Sequence, residues 1–300
     1  MNRTDIDAFI RKNIGAITLI GGVLGLVPIL MMYMSFEYDG LMGGLFPWIT
    51  AVKPFVSFEF AAFDYLGGFY FLGGLGYSLL PIVFCGIMIA GYFSLKNKTP
   101  LSYRLIRFAF SVIFISELIG ILWMISVVIR GDDFFWPILS RPLGIVFNIA
   151  WAYVSFTILR SNLEPEDEFG SIPSPNNSQL AEVPKGTRFV HHLLDSFLYL
   201  GICSGIVVYF ADSYIYQIQY NASMSLGFIL VALIARLMYS PIFETLFGAT
   251  PGKFLTGSKV VNENGEKITF NQSLARTFGR MVPFEPFSFL GKNKGWHDAW

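Results

Sequence analysis

Apolar residues gather into six long runs: Ile14–Ser35, Gly73–Leu95, Leu105–Ile129, Leu143–Leu159, Phe189–Ala211 and Ala222–Tyr239. A hydrocarbon core of about 30 Å takes roughly 20 apolar residues as an α-helix. Five runs reach that length, and Leu143–Leu159 stands at its lower end. The pattern predicts an all-α polytopic membrane protein with about six transmembrane helices. The first run is not followed by a small-x-small cleavage site, so it reads as a spanning helix rather than a signal peptide.

The polar stretches divide the chain. Asn162–Pro184 carries Glu164, Glu166, Asp167, Glu168 and four prolines. It offers too little apolar surface to offset its chain entropy, which predicts a flexible tether. Residues 1–160 are then a four-helix region, 161–185 an acidic, proline-rich linker, and 186–300 a second membrane region. The segment Phe36–Leu72 is rich in aromatic residues, among them Phe46, Trp48, Phe58 and Tyr70. It suits the lipid–water interface, or a lid over an outward-facing cavity.

Beyond the sixth run, Ser240-Pro241 is expected to kink or end the helix. Thr256–Val261 and Glu266–Phe270 alternate around Asn262-Glu263-Asn264-Gly265, the pattern of a β-hairpin. Asn271 is placed to cap a helix over Gln272–Val282, with Arg276 and Arg280 on one face near lipid phosphates. Pro283–Leu290 is too short to span and is expected to be interfacial or re-entrant.

Composition agrees with a membrane chain: 14% of residues are charged, 54% hydrophobic and 17% aromatic. Net charge is zero because the charges are segregated by loop. Of 21 Lys and Arg, only Lys53, Arg130 and Arg141 fall outside when the N-terminus is placed in the cytoplasm. The basic-residue bias therefore predicts two cytoplasmic termini. Cys85 and Cys203 lie inside apolar runs and read as packing residues.

Two polar features sit where charge is costly. Glu117 is at the midpoint of the third run. Such a carboxylate faces a bundle interior, pairs with another helix or serves an ion path. Three readings stand open: a neutral structural glutamic acid, a proton or cation site, or a cross-helix pair, with Asn148 the nearest hydrogen-bonding candidate in depth. The second feature is Arg188, His191 or His192, and Asp195, which share one helical face at the start of the fifth run. An Asp there needs partners.

From Arg188 and Asp195 onward the chain resembles the RDD family, named for an arginine and two aspartates in a small membrane domain. The matching features continue with Ser240-Pro241, Glu244, Gly248-Ala249-Thr250-Pro251-Gly252-Lys253, Gly257-Ser258-Lys259-Val260-Val261 and Trp296-His297-Asp298. Asp298 corresponds to the second aspartate. Many members carry a further apolar segment before it, where this chain has only Pro283–Leu290. The resemblance covers about residues 186–300 and implies a bacterial inner-membrane module for which transport of a small ion or solute has been proposed. Arg188, Asp195 and Asp298 would form its polar centre, with His191, His192, Glu244, Lys253 and Glu117 as further candidates.

Other signals are weak. Gly248–Phe254 imitates a phosphate loop but has one residue too few between its glycines, a proline within, and Phe where Ser or Thr must meet magnesium. No cofactor, metal site, nucleic-acid partner or enzyme activity is expected. The expected partners are the lipid bilayer and a small ion or solute. The competing expectation is a membrane scaffold in which the same charges form a structural Arg–Asp clasp.

Overall fold

The computed structural model describes residues 3–33, 52, 54, 76–96, 99–130, 140–160, 183–211, 222–262 and 264–281. Each apolar run coincides with a helix: α1 Arg3–Tyr33, α2 Gly76–Lys96, α3 Pro100–Arg130, α4 Ser140–Arg160, α5 Lys185–Ala211 and α6 Ala222–Phe247. Two shorter helices follow, α7 Pro251–Thr256 and α8 Phe270–Met281. The described residues are mostly helical, as the apolar periodicity requires. Two described windows are long and apolar enough to cross a membrane, Leu101–Leu122 in α3 and Pro142–Arg160 in α4. Shorter apolar windows are Lys12–Val27 and Ile82–Leu95.

The chain divides into two compact units, Met1–Leu163 with Ser204–Ser213, and Glu164–Cys203 with Tyr214–Trp300. In the first, α1 packs on α2, α2 on α3 and α3 on α4, and α1 also meets α4. Small residues set the spacing: a β-carbon on Gly21 would lie 2.6 Å from the Met88 side chain. The buried hydroxyls of Thr18 and Ser111 donate to Ile14 O and Phe108 O of their own helices, at 2.6 Å each. Internal bonding of this kind is what a non-aqueous surrounding demands. The outer surface is apolar instead: Val146, Leu122 and Ile20 are 60%, 59% and 53% exposed. Arg107 is buried and its Nη2 donates to Leu159 O at 3.2 Å, placing a cation at the C-terminal end of α4.

In the second unit, α6 runs through Pro241 to Phe247, and α8 packs against it. The Thr245 hydroxyl donates to Pro241 O at 2.5 Å, supplying local support just past the proline. The expected hairpin reduces to a turn. Val261 and Lys267 form one antiparallel bridge, and no strand occurs among the described residues. The physical reason lies at both flanks: Thr256 ends α7 and Phe270 begins α8, so neither arm is free to extend. Within the turn, Asn262 Oδ1 accepts from the Asn264 and Glu266 amides, and Gly265 adopts φ +80°.

The cap of α8 also differs from expectation. Thr269 and Gln272, not Asn271, close its first turn: Thr269 N donates to Gln272 Oε1 at 2.9 Å, and Gln272 N donates to Thr269 Oγ1 at 3.4 Å. This is a capping box, in which two side chains satisfy each other's orphan amides. The aromatic segment apart from Val52 and Pro54, most of the 161–185 linker, and Pro283–Leu290 lie outside the described residues.

Candidate functional site

The second unit is organised around two acidic residues, one on α5 and one on α6. Asp195 and His191 are four residues apart on α5 and therefore share a face. The short helix α7 lies against that face. At its N-terminal end Thr250 takes an extended conformation (φ −77°, ψ 162°), with Pro251 entering the first turn. Thr250 makes no side-chain cap of its own helix. Its hydroxyl donates instead to Asp195 Oδ2 at 2.6 Å, while Gly252 N donates to Asp195 Oδ1 at 2.9 Å. Asp195 thus supplies, from another helix, the acceptor that an N-cap side chain normally provides. Tyr239 of α6 adds a third bond, donating its hydroxyl to Asp195 Oδ1 at 3.2 Å.

The other end of α7 is held by His191, which is buried. Its Nε2 meets the hydroxyls of Thr256 and Ser258, the latter at 3.0 Å. Because Asp195 holds the start of α7 and His191 its end, α7 runs antiparallel to α5. Gly257, at φ 72°, closes the helix: Gly257 N donates to Phe254 O and Ser258 N to Lys253 O.

Glu244 forms the second cluster and is fully buried. Its Oε1 receives Lys253 Nζ of α7 at 2.6 Å, and its Oε2 receives Ser273 Oγ of α8 at 2.7 Å. One carboxylate from α6 therefore binds both short helices. The chain returns between them by Val260 N donating to Gly248 O at 2.8 Å.

Among the sequence candidates, the structure brings together Asp195 with His191's face, and Glu244 with Lys253. His192 points to the exposed side of α5. Arg188 is partly buried and its Nε donates at 3.0 Å to the carbonyl of Val183, two residues before the helix begins. The groups bonded to Asp195 are Tyr239, Thr250 and Gly252, so Arg188 is not one of its direct partners among the described residues. Asp298 lies outside the described residues. The phosphate-loop imitation is resolved by the same geometry: the anion met by the Gly252 amide is the chain's own Asp195.

In the first unit, Glu117 is fully buried within α3. With the Asn148 amide oriented to suit its surroundings, Nδ2 donates to Glu117 Oε2 at 2.9 Å and to Gly144 O at 3.2 Å. Glu117 is thereby joined to the neighbouring helix, the partner that depth alone had singled out. One turn further along α4, Trp151 Nε1 donates to Val52 O at 3.0 Å, and Pro54 is fully buried. That contact was not anticipated, because nothing in the aromatic segment marks one carbonyl for insertion. Among the described residues no group of three or more His, Cys, Asp or Glu is placed to hold a metal ion.

The model of the RDD family matches residues 183–300, the stretch containing α5 to α8 and both acidic clusters. The C-terminal part of this chain is therefore similar to the RDD family, and the apolar helices agree with the membrane association of that family. No curated protein and no solved structure matches the chain.

Proposed function

We propose that this is a multi-pass protein of the bacterial inner membrane, with six spanning helices and both termini cytoplasmic, that binds or moves a small cation, proton or solute through Glu117. The observation that carries this reading is the position of Glu117. It is a fully buried carboxyl group near the midpoint of α3, inside the more apolar of the two long windows, and it faces an amide on the next helix. Ionisable groups at that depth are costly to keep and mark ion and proton routes in membrane proteins. The orientation rests on the basic-residue bias, and no enzyme chemistry enters this reading. The acidic residues of the RDD domain are used differently in it. Asp195 and Glu244 are taken up by donors from neighbouring segments, which supports an internal clasp rather than a passage.

That same observation favours a second reading. A domain in which Asp195 and Glu244 both serve to hold α7 and α8 suits a membrane scaffold that transports nothing. Flux of protons and monovalent cations into proteoliposomes separates the two. Under the transport reading, Glu117→Gln abolishes flux while the protein remains folded, and Asp195→Asn lowers stability more than turnover. Flux equal to wild type in Glu117→Gln removes Glu117 from any mechanism, and absence of flux in the intact chain for every small ion tried favours the scaffold.

A further inference from the structure

Helix α8 buries two hydroxyls and exposes two aromatic rings, beside the exposed Asn271 and Gln272 of its first turn. Ser273 and Thr277 are buried, the first bonded to Glu244 and the second donating to Ser273 O at 2.9 Å. Its aromatic residues Phe270 and Phe278 are 42% and 53% exposed, with Leu274 half-buried between them. Positions 270, 274 and 278 follow one another at four-residue spacing, so they form a single stripe along the helix. At twelve residues, α8 is about 18 Å long and cannot cross a bilayer.

The charge of this stretch has one sign. From Lys267 to Met281 there is no acidic residue, and Lys267, Arg276 and Arg280 are basic. An aromatic stripe beside an acid-free basic segment matches the boundary between acyl chains and anionic headgroups. A protein partner would need a complementary apolar groove, whereas a lipid surface needs only the stripe and the charge.

We propose that α8 lies in the plane of the membrane, its Phe270–Leu274–Phe278 stripe set among the acyl chains and the acid-free basic stretch Lys267–Met281 running beside anionic lipid headgroups. Ser273 then couples that surface to the interior, because its hydroxyl bonds the carboxylate that also holds Lys253 of α7. Lipid binding at α8 accordingly stabilises the whole second unit.

The test uses the full chain with Cys85 and Cys203 replaced by alanine and a spin label at Phe278→Cys. Phe270→Cys is a second site and Asn264→Cys, in the exposed turn, a control. The protein is reconstituted in phosphatidylcholine alone and in an equimolar mixture with phosphatidylglycerol. The expected result is that labels at 278 and 270 collide more with oxygen than with a water-soluble nickel complex, and the label at 264 does the reverse. Thermal unfolding is expected to shift upward in the anionic mixture, and the shift to shrink in Lys267→Gln/Arg280→Gln. Preferential nickel access at both 278 and 270 overturns the membrane contact. Oxygen access at those sites with identical unfolding in the two lipids overturns the selection of anionic headgroups.

Discussion

Gly252 approaches α5 so closely that a β-carbon on it would stand 2.8 Å from His191 O and 3.0 Å from Asp195 Oδ1. Its amide uses that proximity to bond the Asp195 carboxylate at 2.9 Å. Glycine here is a requirement of contact, not of backbone angle. Gly248 and Gly257 are the reverse case, with φ of 77° and 72°. Gly252→Ala must push α7 away from α5 and is expected to cost about 1–3 kcal/mol, the range for overpacking a tight contact. Thermal unfolding in detergent micelles checks this, with Gly186→Ala, where nothing lies within 4 Å, as the neutral comparison.

Asp195 tests whether the clasp is structural. Asp195→Ala leaves the Tyr239 hydroxyl, the Thr250 hydroxyl and the Gly252 amide without their acceptor. Each buried group so orphaned costs about 1–3 kcal/mol, less where water can enter. The expected loss is several kcal/mol, and Asp195→Asn, which keeps one acceptor oxygen, should lose about half as much. Equal stability of the three proteins would refute the clasp.

Much of this architecture was legible in the sequence, and the limits have physical causes. The six apolar runs gave six helices because hydrophobic length and periodicity are local properties. Depth along two spans named Asn148 as the nearest hydrogen-bonding candidate for Glu117, with two other readings left open, and the structure brings the two side chains within reach. The partners of Asp195 did not follow. Helical spacing pointed to Arg188 on the same face, but the bonds come from Tyr239, Thr250 and Gly252, which lie 44 to 57 residues away. The available signal was the Thr-Pro-Gly order of a helix start, where an exposed amide awaits an acceptor. The hairpin was overread because strand-like alternation on both sides of Asn-Gly said nothing of the helices that claim Thr256 and Phe270.

Glu244 is a buried carboxylate paired with a lysine that is 12% exposed at its side chain, and truncating one partner of such a pair costs about 3–5 kcal/mol. Glu244→Ala should therefore destabilise strongly, and Lys253→Met less when made on that background than alone. The coupling read from the four proteins is expected to exceed about 1 kcal/mol, as for residues in one network. Additive losses would mean that the pair contributes no more than its separate contacts.

Asn148→Ala removes the amide that meets Glu117. If the two act as a unit, Glu117→Gln costs stability differently in the presence and absence of Asn148, with a coupling of about 0.5–3 kcal/mol. The measurement is a double-mutant cycle on thermal unfolding, run beside the flux assay. A coupling near zero together with normal flux in both single variants would leave Glu117 with neither a structural nor a transporting role.

Trp151 is the middle residue of the α4 window Pro142–Arg160, yet its indole N–H donates to the carbonyl of Val52, which belongs to a segment between two helices. A backbone carbonyl at that depth needs a donor from the protein, since lipid offers none. Trp151 is one turn from Asn148, so this carbonyl is held near the Glu117 pair. Trp151→Phe keeps the ring and deletes the donor. It should cost about 1–3 kcal/mol, since the carbonyl loses a buried bond. It should also loosen Val52: a cysteine at that position is expected to react slowly with a membrane-impermeant maleimide in the parent protein and several-fold faster with Trp151→Phe. Equal, fast labelling in both proteins would show that Val52 is not held inside the bundle, whatever the outcome of the Glu117 experiments.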